Sequence, residues 1–222
     1  RSFVTELEQD PDKLATLREA FQGFHRDLLE GLAVEATHEK TVVLSESQAR
    51  AVVNTVQEHL RKAKQIAQIL QPMKVLDALA SAHMLVRSGP GSNGVSFQHQ
   101  QFQEWFASFW VQKLMLFVAS GDNDAKKTLR ENVLDVPIWE EAVLFACDRL
   151  SRADQGSIQA VANTILETLG IDPLLSAEMI YRSSDEVWDQ VSDDVMSFAR
   201  KWHIEGRVDR AVKFMIDTGR AE

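Results

Sequence analysis

Apolar residues recur every three or four positions along most of the chain, which predicts a mainly helical protein. A first amphipathic helix is expected from Asp12 to about Ala36, followed by a loop at 37–41. Ser45 with Gln48 three residues later predicts a capping box that begins a second helix. Two further helices are expected, a third before Pro72 and a fourth that Pro72 begins. The apolar positions of the four helices are Leu14, Leu17, Phe21, Phe24, Leu28, Leu32, Ala49, Val52, Val53, Val56, Ile66, Ile69, Leu70, Val75, Leu76 and Leu79.

The pattern changes to alternation in only a few places. Residues 42–44 predict a short extended stretch, and 84–86 and 95–99 predict two strands of a hairpin around the glycine-rich segment 89–94. From Gln100 the period is helical again, with an apolar surface so wide that we expect this helix to pack on two sides. Its apolar residues are Phe102, Trp105, Phe106, Phe109, Trp110, Leu114 and Phe117.

Beyond residues 121–124 the sequence predicts a succession of helices of about 12 to 18 residues. Their boundaries are indicated by Pro137, by Gly156, by Gly170, by Asp172 with Pro173 as an N-cap and first helical residue, by Asp185 and by Gly206. Short helices separated by brief turns are typical of helical-pair repeats, although no strict period is visible. The expected fold class is therefore all-α with one small β-hairpin.

Composition and charge narrow the function. The 222 residues carry 24 Lys and Arg against 33 Asp and Glu, a net charge of −9, which disfavours a general nucleic-acid-binding protein. The single cysteine, Cys147, allows neither an internal disulfide nor a Cys-x-x-Cys metal site and favours a reducing, cytoplasmic location. No apolar run reaches the ~18 to 20 residues of a membrane span. The chain begins Arg-Ser-Phe without a signal pattern, which suggests a fragment of a longer polypeptide.

Most chemically suggestive residues have a plain structural interpretation. Residues 89–94 match the dinucleotide pattern GxGxxG, but they join two strands, so a hairpin tip is expected. No GxxxxGK[ST] phosphate loop occurs, and the six histidines show no metal-ligand spacing, so neither catalysis nor a metal site is expected. Cys147 lies in an apolar run and is expected to be a small buried hydrophobe. The carboxylate pairs, expected to be solvated, are Glu140 with Glu141 and Asp193 with Asp194.

Basic residues concentrate near the C-terminal end of the chain. Acidic residues alternate with them, for example Asp209 four residues before Lys213, so one interpretation is a salt-bridged helix surface. The other is an interaction patch for an acidic partner. The residues of this patch are Arg200, Lys201, Arg207, Arg210 and Lys213, with Arg220 further on.

One segment carries a family resemblance. Residues 97–107 read FQHQQFQEWFA, a strand-borne histidine followed by a helix that opens with Phe-Gln-Glu. This resembles the FxHxxFQE[YF][FLA]A signature that ends the winged-helix part of NACHT-type signal-transduction NTPases, the nucleotide-switched STAND class that includes NOD-like receptors. The helices and hairpin before the segment resemble that family's winged helix and wing. The residues that carry the signature are Phe97, His99, Phe102, Gln103, Glu104, Trp105 and Phe106.

The resemblance implies a division of the chain and a role for His99. Residues 1–124 would form a winged-helix-like domain and residues 125–222 a HEAT-like repeat domain. His99 would contact the phosphates of ADP held by an upstream nucleotide-binding domain, so ATP or ADP with Mg²⁺ is expected only in the longer parent. Without that resemblance, the residues alone favour an ordinary hydrogen-bonded residue at a strand end for His99.

Two alternatives stay open. In the first alternative, the chain is a free-standing helical-repeat scaffold that binds a protein or peptide, and the hairpin is an insertion. Sequence-specific DNA binding by the winged helix is a third possibility, but it conflicts with the charge of −9 and with the lack of a basic recognition helix.

Overall fold

The computed structural model describes residues 21, 23–87, 94–202 and 208–220, without the side chains of residues 202, 208 and 209. Contacts divide the chain into two compact units, Arg1–Ala107 and Ser108–Glu222. The division falls inside a helix that spans Gln100–Ala119, whereas the domain boundary expected from the sequence lies after residue 124. The units are called the N-terminal and the C-terminal unit below.

The N-terminal unit combines helices with a small sheet. Its described elements are α1 (His25–His38), β1 (Val43–Ser45), α2 (Glu46–Lys62), α3 (Pro72–Ser81), β2 (Leu85–Arg87) and β3 (Gly94–Phe97), and it includes the start of α4 (Gln100–Ala119). Helix α2 contacts α1, α3, β1 and β3. The first predicted helix is seen only from residue 21 onward, since residues 1–20 and 22 lie outside the described residues.

The three strands form one antiparallel sheet in the order β1-β3-β2. Leu44 pairs with Val95, and Leu85 pairs with Phe97. These four side chains are buried, while Val43 and Val86 are exposed, so alternation places one face of the sheet in the core. The predicted hairpin is confirmed, its tip at 88–93 lies outside the described residues, and the extended stretch near residue 43 supplies a third strand.

Helix α2 begins as the sequence predicts. The Ser45 hydroxyl accepts a hydrogen bond from the Gln48 backbone amide, and the Gln48 side chain accepts one from the Ser45 amide, which completes the capping box. Pro72 lies in the first turn of α3, also as predicted.

The predicted third helix, with Ile66, Ile69 and Leu70, is wrong. Residues 63–71 form turns and irregular backbone, and Lys64 has a left-handed φ of 59°. The buried Gln57 side chain donates to the Leu70 carbonyl at 3.1 Å and accepts from the Leu70 amide at 2.8 Å. A local apolar period cannot foresee this clamp, because the clamp fixes backbone 13 residues away.

The described part of the C-terminal unit is entirely helical or turn. After α4 come α5 (Asn123–Leu129), a π-helical turn (Arg130–Leu134), a 3-10 turn (Pro137–Trp139), α6 (Glu140–Leu150), α7 (Gln155–Leu169), α8 (Pro173–Arg182), α9 (Asp185–Trp202) and α10 (Val208–Asp217). Asp172 caps α8 by accepting from the amides of Leu174 and Leu175, as predicted. Helix α7 begins one residue before Gly156, because Asp154 accepts from the Ser157 amide and acts as the N-cap.

Helices of the C-terminal unit contact their next-but-one neighbours as well as their neighbours. Helix α8 contacts α6, α7 and α10, and α9 contacts α7 and α10. This arrangement places α6, α8 and α10 in one row and α7 and α9 in another. The fully buried core includes Trp139, Leu144, Ile165, Met179, Ile180 and Phe214. The fold is thus mostly helical with one small sheet, as predicted.

Candidate functional site

The signature segment runs from the end of β3 into the first two turns of α4. Phe97, Phe102 and Phe106 are buried, and the rings of Phe97 and Phe106 stack with centroids 6.1 Å apart. Trp105 is half-buried. The aromatic residues of the signature are therefore core residues of this strand-to-helix corner, Trp105 less completely so than the phenylalanines.

The glutamine of the signature fixes the corner to α1. Gln103 is 4% exposed, and its Nε2 donates to Thr37 Oγ1 at 3.2 Å and to the Thr41 carbonyl at 3.3 Å. Thr37 Oγ1 in turn donates to the Ala33 carbonyl at 2.8 Å. A buried amide nitrogen that donates to two protein acceptors holds the neighbouring backbone in one arrangement. Glu104 is half-buried and accepts from the Gln100 side chain at 2.8 Å.

His99 lies in the bend between β3 and α4 with an exposed side chain. Its carbonyl accepts from the Phe102 amide at 3.0 Å, and the preceding amide of Gln98 donates to the Met84 carbonyl at 3.3 Å. The imidazole meets the Phe102 ring edge-on, with centroids 5.5 Å apart. The backbone on either side of His99 is thus held by hydrogen bonds, and the residue is exposed although its ring contacts Phe102.

The C-terminal basic residues are exposed on two helices. Arg200 and Lys201 lie near the end of α9, and Arg210 and Lys213 lie on α10. No ion pair joins any of these four to a described acidic residue. Arg207 lies outside the described residues, and so does the side chain of Asp209, which leaves the predicted pairing with Lys213 untested.

Arg220 has a different environment from the other basic residues. It forms an ion pair with Asp185 and donates to the Ser183 carbonyl at 3.3 Å. Its side chain is only 21% exposed. Arg220 therefore ties the end of the described chain to the turn between α8 and α9 and does not belong to the exposed patch.

An apolar groove of about 290 Å³ lies between α9 and α10, and sequence reasoning did not find it. We call it the α9/α10 groove. Its lining residues are Met196, Ala199, Arg200, Ala211, Val212, Met215 and Ile216. The signal available in the sequence is the run of apolar residues at 211, 212, 214, 215 and 216, which is too wide for one buried face of a helix.

The remaining chemically suggestive residues have structural environments. Cys147 is fully buried, and burial raises the pKa of its thiol to about 12, as expected for a buried hydrophobe rather than a nucleophile. Burial, with the charges of Asp172 and Glu178, raises the pKa of Glu140. Glu141 accepts two hydrogen bonds from Arg182, and its side chain is 45% exposed, so it is an ion-paired residue in contact with solvent.

Among the described residues, no three His, Cys, Asp or Glu side chains lie where they could hold a metal ion. None of the described helices is both long and apolar enough to span a bilayer. No protein-family model, curated protein or solved structure matches the chain. A functional proposal must therefore rest on the residues themselves.

Proposed function

We propose that the chain is the non-catalytic regulatory and sensor part of a NACHT-type nucleotide-switched signalling ATPase. Residues 1–124 would form its winged-helix-like domain. The described elements support this, since their order α1-β1-α2-α3-β2-β3 and the sheet order β1-β3-β2 are those of a winged helix whose wing is the β2–β3 hairpin. The long helix that follows begins with the signature residues.

The geometry of His99 carries the proposal. Among the signature residues, the phenylalanines and Gln103 are buried, and His99 projects an exposed ring from a fixed backbone. An imidazole N–H can donate to a phosphate oxygen, a strong charge-assisted hydrogen bond. His99 would make this bond to ADP held by an upstream nucleotide-binding domain and so stabilise the resting state. The chain has no phosphate loop, so nucleotide binding and hydrolysis would belong to that domain.

The helical rows of the C-terminal unit support a sensor role. Among its described residues, six long-range polar pairs join positions 37 or 41 apart, and two join positions 30 or 35 apart. The six are Arg149 with Gln112 and Ser108, Arg182 with Glu141, Arg220 with Ser183, and Glu167 with Lys126 and Arg130. Such spacing is expected of helical-pair repeats of roughly 33 to 47 residues, which include HEAT repeats. The repeats would bind a protein or peptide ligand, and the resulting domain rotation would break the contact of His99 with ADP.

Retention of ADP tests the role of His99. In the longer polypeptide, His99→Ala should speed ADP release by roughly 10- to 100-fold, because a hydrogen bond to a charged group contributes about 1.5 to 3 kcal/mol. The measurement is ADP content per polypeptide after gel filtration, followed over time, together with basal signalling. His59→Ala is the matched control, since His59 is also exposed but lies on α2. Equal ADP retention in both variants would refute the role.

A free-standing helical-repeat scaffold is the second candidate. The α9/α10 groove favours it, because this groove offers a binding surface that needs no nucleotide. The coding sequence upstream of Arg1 separates the candidates, since only the switch requires a GxxxxGK[ST] strand-loop-helix there. DNA binding has less support, because α3, the recognition helix of a winged helix, contains Lys74 as its one basic residue.

A further inference from the structure

We propose that Gln103 is a positioning residue for His99, because its side chain fixes the bend that carries His99 to the segment between α1 and β1. The contacts that carry this inference lie wholly within the N-terminal unit. Its consequence for ADP rests on the proposed function.

Both flanks of His99 are bound to the same short segment of the chain. Before His99, Ser96 of β3 pairs with Val43 of β1. After His99, the Gln103 side chain in the first turn of α4 donates to the Thr41 carbonyl at 3.3 Å. Thr41 is held to β1 in turn, since its hydroxyl donates to the Val43 carbonyl at 3.0 Å and accepts from the Val43 amide at 3.1 Å. These contacts close a ring around the bend.

The second acceptor of Gln103 extends this ring to α1. Gln103 Nε2 also donates to Thr37 Oγ1 at 3.2 Å, and that hydroxyl donates to the Ala33 carbonyl at 2.8 Å. Gln103 and Thr37 are only 4% and 3% exposed. A buried donor without an acceptor lowers stability, so the arrangement in which both bonds are made is preferred.

The buried aromatic residues of the corner do not supply this direction alone. Phe97, Phe102 and Phe106 attach the corner to the core through apolar contacts, whose strength follows the buried area rather than an angle. A hydrogen bond weakens steeply when its angle departs from linear. Gln103 therefore determines how α4 begins relative to β3, and with it the direction of His99.

NMR spectroscopy of the 222-residue chain tests the positioning role without any nucleotide. The His99 imidazole meets the Phe102 ring edge-on, with centroids 5.5 Å apart, so the chemical shifts of its ring protons report that geometry. In Gln103→Leu these shifts should move toward those of an unstructured peptide, and His99→Ala assigns the signals. The Phe102 amide, which donates to the His99 carbonyl, should exchange with solvent about tenfold faster than in the control below, as expected when a hydrogen bond is lost.

Gln57→Leu is the matched control. Gln57 is also a buried amide of this unit, 3% exposed, but it binds the Leu70 backbone and none of the signature residues. Both variants remove hydrogen bonds of the same kind, so a merely structural role would change the His99 signals equally in the two. Gln57→Leu should leave those signals unchanged. Equal changes in the two variants, or unchanged signals in Gln103→Leu, would overturn the proposal.

A pair of variants at Thr37 gives the same test without altering Gln103. Thr37→Val keeps the volume but removes the acceptor, whereas Thr37→Ser keeps the hydroxyl. Only Thr37→Val should move the His99 signals toward those of an unstructured peptide. Circular dichroism melting checks that each variant is folded. The same change in both Thr37 variants would refute a role for this hydrogen bond.

ADP release from the longer polypeptide tests the consequence under the proposed function. Gln103→Leu should speed release about 3- to 10-fold, and it should have no further effect in a chain that already carries His99→Ala, since a positioning residue acts only through the residue that it positions. Additive effects of the two substitutions would contradict the proposal. If His99→Ala itself leaves ADP release unchanged, the proposed function fails, and the NMR comparison alone decides the role of Gln103.

Discussion

Within the two units, the polar contacts that fix the backbone differ in part. In the N-terminal unit, buried amide side chains bind irregular backbone: Gln57 binds Leu70, and Gln103 binds Thr41 together with the Thr37 hydroxyl. Half-buried arginines occur in both units: Arg87 of β2 pairs with Glu46 and Asp77 in the N-terminal unit, whereas in the C-terminal unit such arginines join one helix to another. Arg149 donates to Ser108 and Gln112 and lies over the Phe109 ring at 4.2 Å.

The two kinds of contact restrict the backbone to different degrees. A buried amide that forms hydrogen bonds to specific backbone atoms requires one backbone conformation there. The N-terminal unit is therefore restricted to one arrangement around these contacts. In the C-terminal unit, arginine side chains join helices to one another, for example Arg149 of α6 to Gln112 of α4 and Arg182 of α8 to Glu141 of α6. Under the proposed function, the N-terminal unit would position His99 and the C-terminal unit would supply the binding surface.

The largest expected effect comes from removing a core aromatic residue of the C-terminal unit. Trp139 is 1% exposed and its ring lies 5.0 Å from that of Trp110. Trp139→Ala should lower the free energy of unfolding by about 3 to 5 kcal/mol, because it leaves a large cavity. Hydrogen exchange should show lost protection in α6 and α7 while amides of the β1–β3 sheet keep theirs. Equal loss in the sheet would show that the two units unfold as one.

A close helix contact gives the second test, in the N-terminal unit. A Cβ at Gly31 would lie 2.7 Å from Val56 Cγ2 and 3.2 Å from Val52 Cγ1, so α1 and α2 approach closely there. Gly31→Ala should destabilise the unit by about 1 to 3 kcal/mol through overpacking. Urea unfolding measures the change. Adding Val56→Ala should recover part of it if crowding is the cause.

Gly170→Ala is the control in the C-terminal unit. Its φ is negative, and the nearest atom to a new Cβ is the Glu167 carbonyl oxygen at 3.8 Å, an ordinary contact. The change should be neutral or stabilising by roughly 0.4 to 1 kcal/mol, since alanine restricts the unfolded chain. A loss as large as that in Gly31→Ala would mean that any added methyl group disturbs these helices.

One variant of each kind tests the contrast between buried amides and half-buried arginines. Gln103→Leu keeps the side-chain volume but removes the donor to the buried Thr37 hydroxyl and the part-buried Thr41 carbonyl, so it should cost about 1 to 3 kcal/mol. Arg182→Leu breaks a pair with Glu141 whose side chains are 32% and 45% exposed, and it should cost less than about 1 kcal/mol. Chemical denaturation of the two variants gives the ranking. A larger loss in Arg182→Leu would reverse the comparison.

Local patterns predicted the helix starts and the hairpin, because those features are determined by nearby residues. The Ser45 capping box, Pro72 and the Asp172 cap all act within one helical turn. Residues 63–71 are irregular because Gln57 binds their backbone, and no local signal encodes that contact. Tertiary contacts override local propensity in this way.

The candidate sites differ in how far sequence reasoning reaches. The burial of Phe102 and Phe106 follows from their spacing, and the exposure of His99 depends on the bend before α4. Phe117 was expected within a helix packed on two sides, yet it is 55% exposed. The α9/α10 groove escapes prediction because a one-dimensional pattern shows which residues are apolar but not which of them a neighbouring helix covers.

The last expected effect is a pH dependence of stability that arises from Cys147 in the C-terminal unit. Burial raises the pKa of the Cys147 thiol from an ordinary value of 9.0 to about 12, so the folded state holds this proton more tightly than the unfolded chain does. The resulting stability is present below pH 9 and is lost as the pH rises toward 12, with a loss on the order of 1 kcal/mol by pH 10.

Urea unfolding between pH 8 and pH 10 measures this decline, and Cys147→Ala supplies the control. The variant lacks the thiol, so any slope that it retains comes from other groups, and the difference between the two slopes belongs to Cys147. Thiol labelling should also be slow in the folded chain and fast in urea, because the reactive thiolate forms only after the side chain is exposed. Parallel slopes in the two proteins, or fast labelling of the folded chain, would place Cys147 nearer the surface and weaken the picture of a tightly packed helical array.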